Sequence, residues 1–206
     1  MYSELSPILA PAGGSAAQAA AYILGRPSGE YNERDIAQAI VPAYVRLCGA
    51  VGVDPIIAIA QLLHETGNLT SFWAARPQRN PAGIGVTGER ADAQPAGKPN
   101  WSLNTQRGAW EFGVSFASWE GDAIPAHIGR LLAYAIAPGQ ENDAQRVALA
   151  KGLSYRPFPQ LLRGTAPAIK QLGKVHNPAG QGWASPGDQY GAKIAEIANR
   201  IVGGAS

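Results

Sequence analysis

The sequence has few of the residues that build covalent or metal-bound frameworks. Of its 206 residues, one is cysteine and three are histidine. A single cysteine, Cys48, excludes an intrachain disulfide and a cysteine-based metal cluster. Because Val45, Leu47 and Val51 lie beside it in the sequence, we expect Cys48 to be a buried thiol that packs in the core.

Charged residues are also scarce, at 16% of the chain against about 25% in ordinary domains. The formal net charge of +2 is too small for a nucleic-acid-binding surface, so no nucleic-acid partner is expected. The apolar fraction of 46% is large enough for a packed core and excludes a globally disordered chain. With 25 glycines and 16 prolines, the sequence predicts one compact domain with long ordered loops.

A membrane-spanning or leader segment is not apparent either. The longest uncharged stretch covers residues 5–25, but prolines and glycines interrupt it, and much of the rest is alanine and serine. A secretory signal would begin with lysine or arginine, whereas only Glu4 precedes this stretch. A location outside the cell would therefore need another route, such as phage-mediated release or a leader on a longer chain.

Helical patterns dominate the chain outside its middle. Helices are predicted over residues 16–24, 32–50, 54–67, 119–134, 141–151, 165–172 and 190–202. The clearest start is Asp54 followed by Pro55, an N-cap carboxylate before a proline at the first helical position. Pro42 is expected to kink the second helix.

The middle of the chain, residues 68–112, is rich in glycine and proline. It predicts loops with a short hairpin near residues 100–114. The fold class is therefore predicted as mainly α with a small β-hairpin or loop insertion. We expect a single domain over residues 1–206, in which residues 1–53 form an N-terminal arm and helices and residues 54–202 form the main body.

Several common chemistries are not supported by the motifs present. His64 and Glu65 begin like a zinc-protease motif, but Asn68 stands where the second histidine is required. Residues 83–85 read Gly-Ile-Gly without the strand, loop and helix of a dinucleotide site. None of the serines lies in a nucleophile elbow. We therefore expect neither a metal ion nor a cofactor.

Glu65 is the main candidate for a catalytic residue. It lies at the end of an apolar helix, on the same face as Ala58 and Gln61. The negative end of the helix dipole and partial burial would both raise the pKa of this carboxyl. A raised pKa suits a general acid for glycosidic cleavage near neutral pH. The alternative, from the residues alone, is a solvated glutamate at a helix end.

Four segments, in order along the chain, carry a resemblance to a known family. Residues 59–67 (IAQLLHETG), 80–84 (NPAGI), 116–120 (FASWE) and 182–190 (GWASPGDQY) are the segments concerned. They resemble the "AQ–ES/ET–G", "N-L-F-G-I", "F–SW–E" and "GYATDP–YA–KI" segments of glycoside hydrolase family 73.

This resemblance implies an endo-β-N-acetylglucosaminidase of the lysozyme-like superfamily that acts on bacterial cell wall. It implies a lysozyme-like helical fold, Glu65 as the general acid, and Tyr190 as an aromatic residue near the substrate. The implied partner is a peptidoglycan glycan strand. A monomer is expected.

The second carboxylate of the family has no direct counterpart here. The hairpin region that usually supplies it reads Asn-Thr-Gln-Arg-Gly over residues 104–108. Glu89, Asp92 and Glu111 lie nearby, and Glu89 is the first candidate because it follows the glycine-rich turn. The substrate's own N-acetyl group could replace a second acid.

Further residues are predicted to bind substrate. Trp73, Trp101 and Trp110 lie in the loop-rich middle, and indole rings stack well on sugar rings. Gln61 is a candidate because it shares a helix face with Glu65. Asn80 is another, although an asparagine before proline can instead bond loop backbone.

Two further side chains are assigned to the structure of the domain. Trp119 follows a serine at a predicted helix start and is expected to lie in the core. His64 points away from the face of Glu65 and is expected to pack or hydrogen-bond structurally.

The sequence therefore predicts a peptidoglycan hydrolase that cuts the β-1,4 bond after N-acetylglucosamine. Two alternatives stay open. One is a muramidase or lytic transglycosylase of the lysozyme superfamily. The other is a cell-wall-binding module without catalysis, which the missing hairpin acid favours.

Overall fold

The computed structural model describes residues 1–203. In this range the α-helices are α1 (Ala16–Leu24), α2 (Glu33–Asp35), α3 (Val41–Val51), α4 (Pro55–Thr66), α5 (Ile124–Ala135), α6 (Asp143–Ser154) and α7 (Tyr190–Gly203). π-helical segments at Ile36–Ile40 and Trp119–Ala123 lead into α3 and α5. Short 3-10 turns occupy Gln160–Leu162, Ile169–Leu172 and Lys174–His176. None of these helices is long and apolar enough to cross a membrane. The predicted mainly α class is confirmed.

Helix α4 is the central element of the core. The Asp54 carboxylate accepts a hydrogen bond from the Ile56 backbone N–H at 2.8 Å, and Gly67 ends the helix with φ of 58°. Every residue of α4 over positions 55–63 is buried, whereas His64 and Glu65 are half-buried. Packing against α7 and α3 surrounds the helix, so that its last turn alone approaches the surface.

Proline determines how two of the helices begin. Pro42 and Pro125 each stand second in an α-helix that directly continues a π-helical segment. Proline lacks the N–H of a regular turn and its ring crowds the preceding turn, and a wider π turn accommodates both effects. A π segment thus precedes Pro42, and the kink expected there stays a prediction.

The helix predicted over residues 165–172 is wrong for its first half. Only Ile169–Leu172 is helical, as a 3-10 turn. Pro167 disfavours helix at the residue before it, and its carbonyl instead accepts a hydrogen bond from the Ile8 N–H at 2.9 Å. This segment pairs with the N-terminal arm, a long-range contact that local propensity does not reveal.

The N-terminal arm is bound to the core by polar contacts. The Tyr2 hydroxyl donates to the Asp54 carboxylate at 2.7 Å, and the Asn199 side chain bonds both backbone groups of Tyr2. The Lys170 ammonium lies 2.6 Å from the Glu4 carboxylate. The arm therefore fixes the start of α4 and joins it to α7.

A small antiparallel sheet covers the middle of the chain. Strands β1 (Arg90–Ala91), β2 (Trp101–Asn104) and β3 (Ala109–Phe112) have the order β1-β3-β2, with Trp101 opposite Phe112. The hairpin of β2 and β3 confirms the prediction for residues 100–114.

Candidate active site

Glu65 occupies the last turn of α4, beyond the part of the helix that is buried on all sides. Its Oε1 accepts a hydrogen bond from the Tyr190 hydroxyl. Burial raises the pKa of the Glu65 carboxyl, and hydrogen bonding from Tyr190 and Trp183 opposes this rise without cancelling it. No salt bridge holds Glu65 charged among residues 1–203. The carboxyl can therefore keep a proton to a higher pH than an ordinary glutamate.

Tyr190 connects Glu65 to a chain of buried hydrogen bonds. The Gln61 Nε2 donates to the Tyr190 hydroxyl at 2.7 Å. The other end of the Gln61 amide lies 2.8 Å from His127 Nε2, and His127 Nδ1 lies 2.8 Å from the Tyr44 hydroxyl. Gln61, His127 and Tyr44 are fully buried. Four helices thus contribute to one chain that ends at Glu65.

The direction of this chain follows from the groups at its Glu65 end. An ionised carboxylate only accepts, so Tyr190 donates to Glu65 and accepts from the Gln61 N–H. The Gln61 oxygen must then accept from His127 Nε2, which assigns the proton of the neutral ring to that nitrogen. Burial lowers the pKa of His127 to about 3, so the ring is neutral at physiological pH.

Tyr44 consequently donates to His127 Nδ1, and every donor in the chain points toward Glu65. Aligned hydrogen bonds polarise one another in a low-dielectric interior. The chain is therefore arranged to stabilise negative charge on Glu65 after that residue has given up its proton.

Trp183 joins Glu65 to an open cleft. Its ring lies 5.7 Å from the ring of His127 and 5.9 Å from that of Tyr134. With Tyr134, it lines a cleft of about 320 Å³ whose other walls include Ile84 and Leu162. An indole beside a proton donor and facing a cleft of this size offers a stacking surface for a sugar ring.

Two predicted substrate-binding residues are instead structural, and the predictions for them are wrong. Gln61 is fully buried, and both ends of its amide are bonded to His127 and Tyr190. Asn80 is also fully buried and bonds loop backbone with every side-chain atom that can do so. The physical reason is that each amide satisfies buried polar groups, which leaves neither side chain available to a ligand.

Substitution of Asn80 by alanine is expected to destabilise the fold by roughly 2–4 kcal/mol, because it leaves several buried backbone groups at Ile84 and Val114 without partners. Urea denaturation would measure this loss. If the variant instead kept its stability and had a raised KM, Asn80 would again be a candidate for substrate binding.

The three tryptophans of the middle segment belong to the sheet and its surroundings. Trp73 packs edge-on against Phe72 at 5.2 Å and lines a separate cavity of about 260 Å³. Trp101 packs on Phe112 at 5.5 Å, and Trp110 is half-buried on β3. Their contact with a substrate stays a prediction.

The candidates for a second carboxylate differ sharply in environment. Glu111 is buried on β3 and bonded to Arg107 at 2.9 Å, with Arg90 at 3.5 Å. Glu89 is exposed on the loop before β1 and forms no salt bridge with any described residue. The salt bridges hold Glu111 in place, so Glu89 stays the predicted partner of Glu65.

Other expectations concern residues outside the site. Cys48 and Trp119 are buried, as predicted. His64 packs edge-on against Tyr190 at 5.3 Å, and burial lowers its pKa. No group of three or more His, Cys, Asp or Glu side chains suited to a metal ion occurs within residues 1–203.

Comparison with known proteins gives similarities of fold. No family model matches the sequence, and neither does any curated relative. Staphylococcus aureus autolysin E, solved in complex with the muropeptide NAM-L-Ala-D-iGlu, has a TM-score of 0.48 and 15% identity, over 96% of this chain and 71% of that one. Its catalytic mutant, solved with the disaccharide NAG-NAM, gives the same values. The catalytic domain of the autolysin Auto from Listeria monocytogenes has a TM-score of 0.40 and 15% identity, over 80% and 81%. Both of these proteins are autolysins.

Proposed function

We propose that this protein hydrolyses peptidoglycan as an endo-β-N-acetylglucosaminidase, with Glu65 as the general acid and residues 54–202 as the catalytic core. The observation that carries the proposal is the environment of Glu65. Its carboxyl is half-buried, has a raised pKa, lacks a cationic partner among the described residues, and receives a hydrogen bond from Trp183, a residue that lines the cleft. These are the properties that glycosidic cleavage requires of its proton donor.

In the proposed reaction, Glu65 transfers its proton to the oxygen that links the two sugars. The bond between that oxygen and the anomeric carbon breaks, and the electron pair leaves with the oxygen. The donors aligned through Tyr190 then stabilise the new carboxylate. Water attacks the anomeric carbon with help from Glu89 or from the substrate's acetamido group.

A lytic transglycosylase or muramidase is the alternative enzyme activity. The ion pairs of Glu111 favour it, because they neutralise the buried candidate for a second carboxylate and leave only the exposed Glu89 and Asp92 as candidates. A transglycosylase can work with one carboxyl, since a hydroxyl of the muramyl sugar replaces the attacking water.

Analysis of the products would test the proposal. Purified cell wall would be digested, and the soluble muropeptides would be identified by mass spectrometry after reduction. A reducing N-acetylglucosamine end is expected. An anhydro-muramyl end would indicate a transglycosylase, and a reducing muramic acid end would indicate a muramidase. Sedimentation with the wall without any product would indicate a binding module, and each of these three results would contradict the proposal.

A further inference from the structure

The cleft beside Trp183 has two arginines in its wall. Arg130 extends from α5 and is half-buried, and Arg156 follows α6 and is exposed. The Arg130 Nη1 donates to the Arg156 backbone carbonyl at 3.3 Å. The Arg130 guanidinium also lies over the ring of Phe158, with 5.2 Å to its centroid. These contacts fix the position of Arg130 without neutralising its charge.

No carboxylate balances this pair. Neither Arg130 nor Arg156 forms a salt bridge with any residue of the described range 1–203. The cleft is lined by no aspartate or glutamate of that range. Burial and the neighbouring charge of Arg156 lower the pKa of Arg130. This direction agrees with two positive charges that lack an acidic partner.

Two adjacent positive charges in a concave wall favour an anionic ligand. A guanidinium presents its N–H groups as a planar fork that matches a carboxylate. Trp183 and Tyr134 border the same cleft, so a ligand that stacks a sugar ring there would bring a substituent of that ring toward the arginines. The ligand should therefore combine a sugar with a carboxylate.

We propose that Arg130 and Arg156 form a subsite for a carboxylate borne by the muramyl unit of the substrate. This inference rests on the proposed function, and it adds the group that the cleft recognises. The sugar backbone of peptidoglycan is neutral, so its negative charge lies on the lactyl groups that carry no peptide and on the stem peptides. The subsite distinguishes such a strand from neutral chitin-type chains.

Binding to the inactive Glu65→Gln variant would test this subsite by calorimetry. Arg156→Gln, on an exposed side chain, is expected to weaken binding of a disaccharide-peptide with free carboxylates by about tenfold or more. Binding of a neutral chitooligosaccharide should change by less than about twofold, because that ligand has no charge to lose. Arg34→Gln makes the same change of charge at an exposed residue outside the cleft and should leave both affinities unchanged.

Two further ligands would identify the source of the carboxylate. A disaccharide without peptide carries a free lactyl carboxylate, and an amidated disaccharide-peptide carries no free stem carboxylate. Arg156→Gln should weaken the binding only of the ligand that retains the recognised carboxylate. Arg130→Lys keeps the charge but removes the fork, and a melting curve would verify that it folds.

Equal losses for acidic and neutral ligands, or no loss for both the disaccharide-peptide and the disaccharide without peptide, would overturn the subsite. These outcomes are separate from the failure of the proposed function, because the binding measurement requires no turnover. A protein that binds acidic muropeptides through Arg156 but releases no product would refute hydrolysis and retain the subsite.

Discussion

Glu65→Gln is expected to lower the rate of wall hydrolysis by at least about 100-fold, and up to about 10⁴-fold, since general acid catalysis contributes a factor of this size. Glutamine has the shape of glutamate, and its oxygen can still accept the hydrogen bond from Tyr190, but it has no acidic proton. The fall in turbidity of a cell-wall suspension would measure the loss. Glu196→Gln, the same change at an exposed residue of α7, should retain full activity.

The stability of Glu65→Gln provides a second readout with a defined sign. Because folding raises the pKa of Glu65, ionisation of this residue at neutral pH opposes folding. The variant should therefore melt at a higher temperature than the parent at pH 7. This gain should vanish below the unfolded pKa of about 4.3, where glutamate is protonated in both states. Lysis at the parental rate would refute the catalytic assignment, and a lowered melting temperature would refute the proposed environment of the carboxyl.

Tyr190→Phe is expected to shift the pH dependence of activity. Burial raises the pKa of Glu65, and the hydrogen bond from the Tyr190 hydroxyl makes that rise smaller. Its removal should raise that pKa further, so the alkaline limb of kcat/KM should move to higher pH. The hydrogen bond to the developing carboxylate is also lost, and kcat should fall about tenfold or more.

Tyr44→Phe is the matched control, because it removes a hydroxyl from the opposite end of the same chain. The Nδ1 of His127 would lose its donor in the core, which should cost about 1–3 kcal/mol of stability. The alkaline limb should move much less than in Tyr190→Phe. An unmoved limb in Tyr190→Phe, or equal shifts in both variants, would contradict the direct role of Tyr190.

The sequence was most informative where a few neighbouring residues decide the structure. Asp54, Pro55 and Gly67 set the ends of α4 through local backbone chemistry, and the apolar run between them predicted its burial. Glu65 could be selected because it follows this run at the end of the helix. The hairpin was predicted equally well, since its turn and strands are close in the chain.

Prediction failed where a side chain meets partners from distant segments. Gln61 was expected to face the substrate, but His127 and Tyr190 are 66 and 129 positions away from it and bury its amide completely. The Asn80 side chain similarly forms hydrogen bonds with the backbone carbonyls of Ile84 and Val114. A single sequence does not show which distant residues come into contact in the fold.

The residues alone predicted most of the helices, the position of one carboxyl at a helix end, and the shortage of charge. Only the tertiary structure shows that the Glu65 carboxyl accepts the last hydrogen bond of a buried chain of donors, and that Arg130 and Arg156 share a cleft with Trp183. The physical reason is that pKa values and cleft chemistry depend on burial and on the orientation of neighbouring groups. Both are fixed only when α4, α5 and α7 pack together.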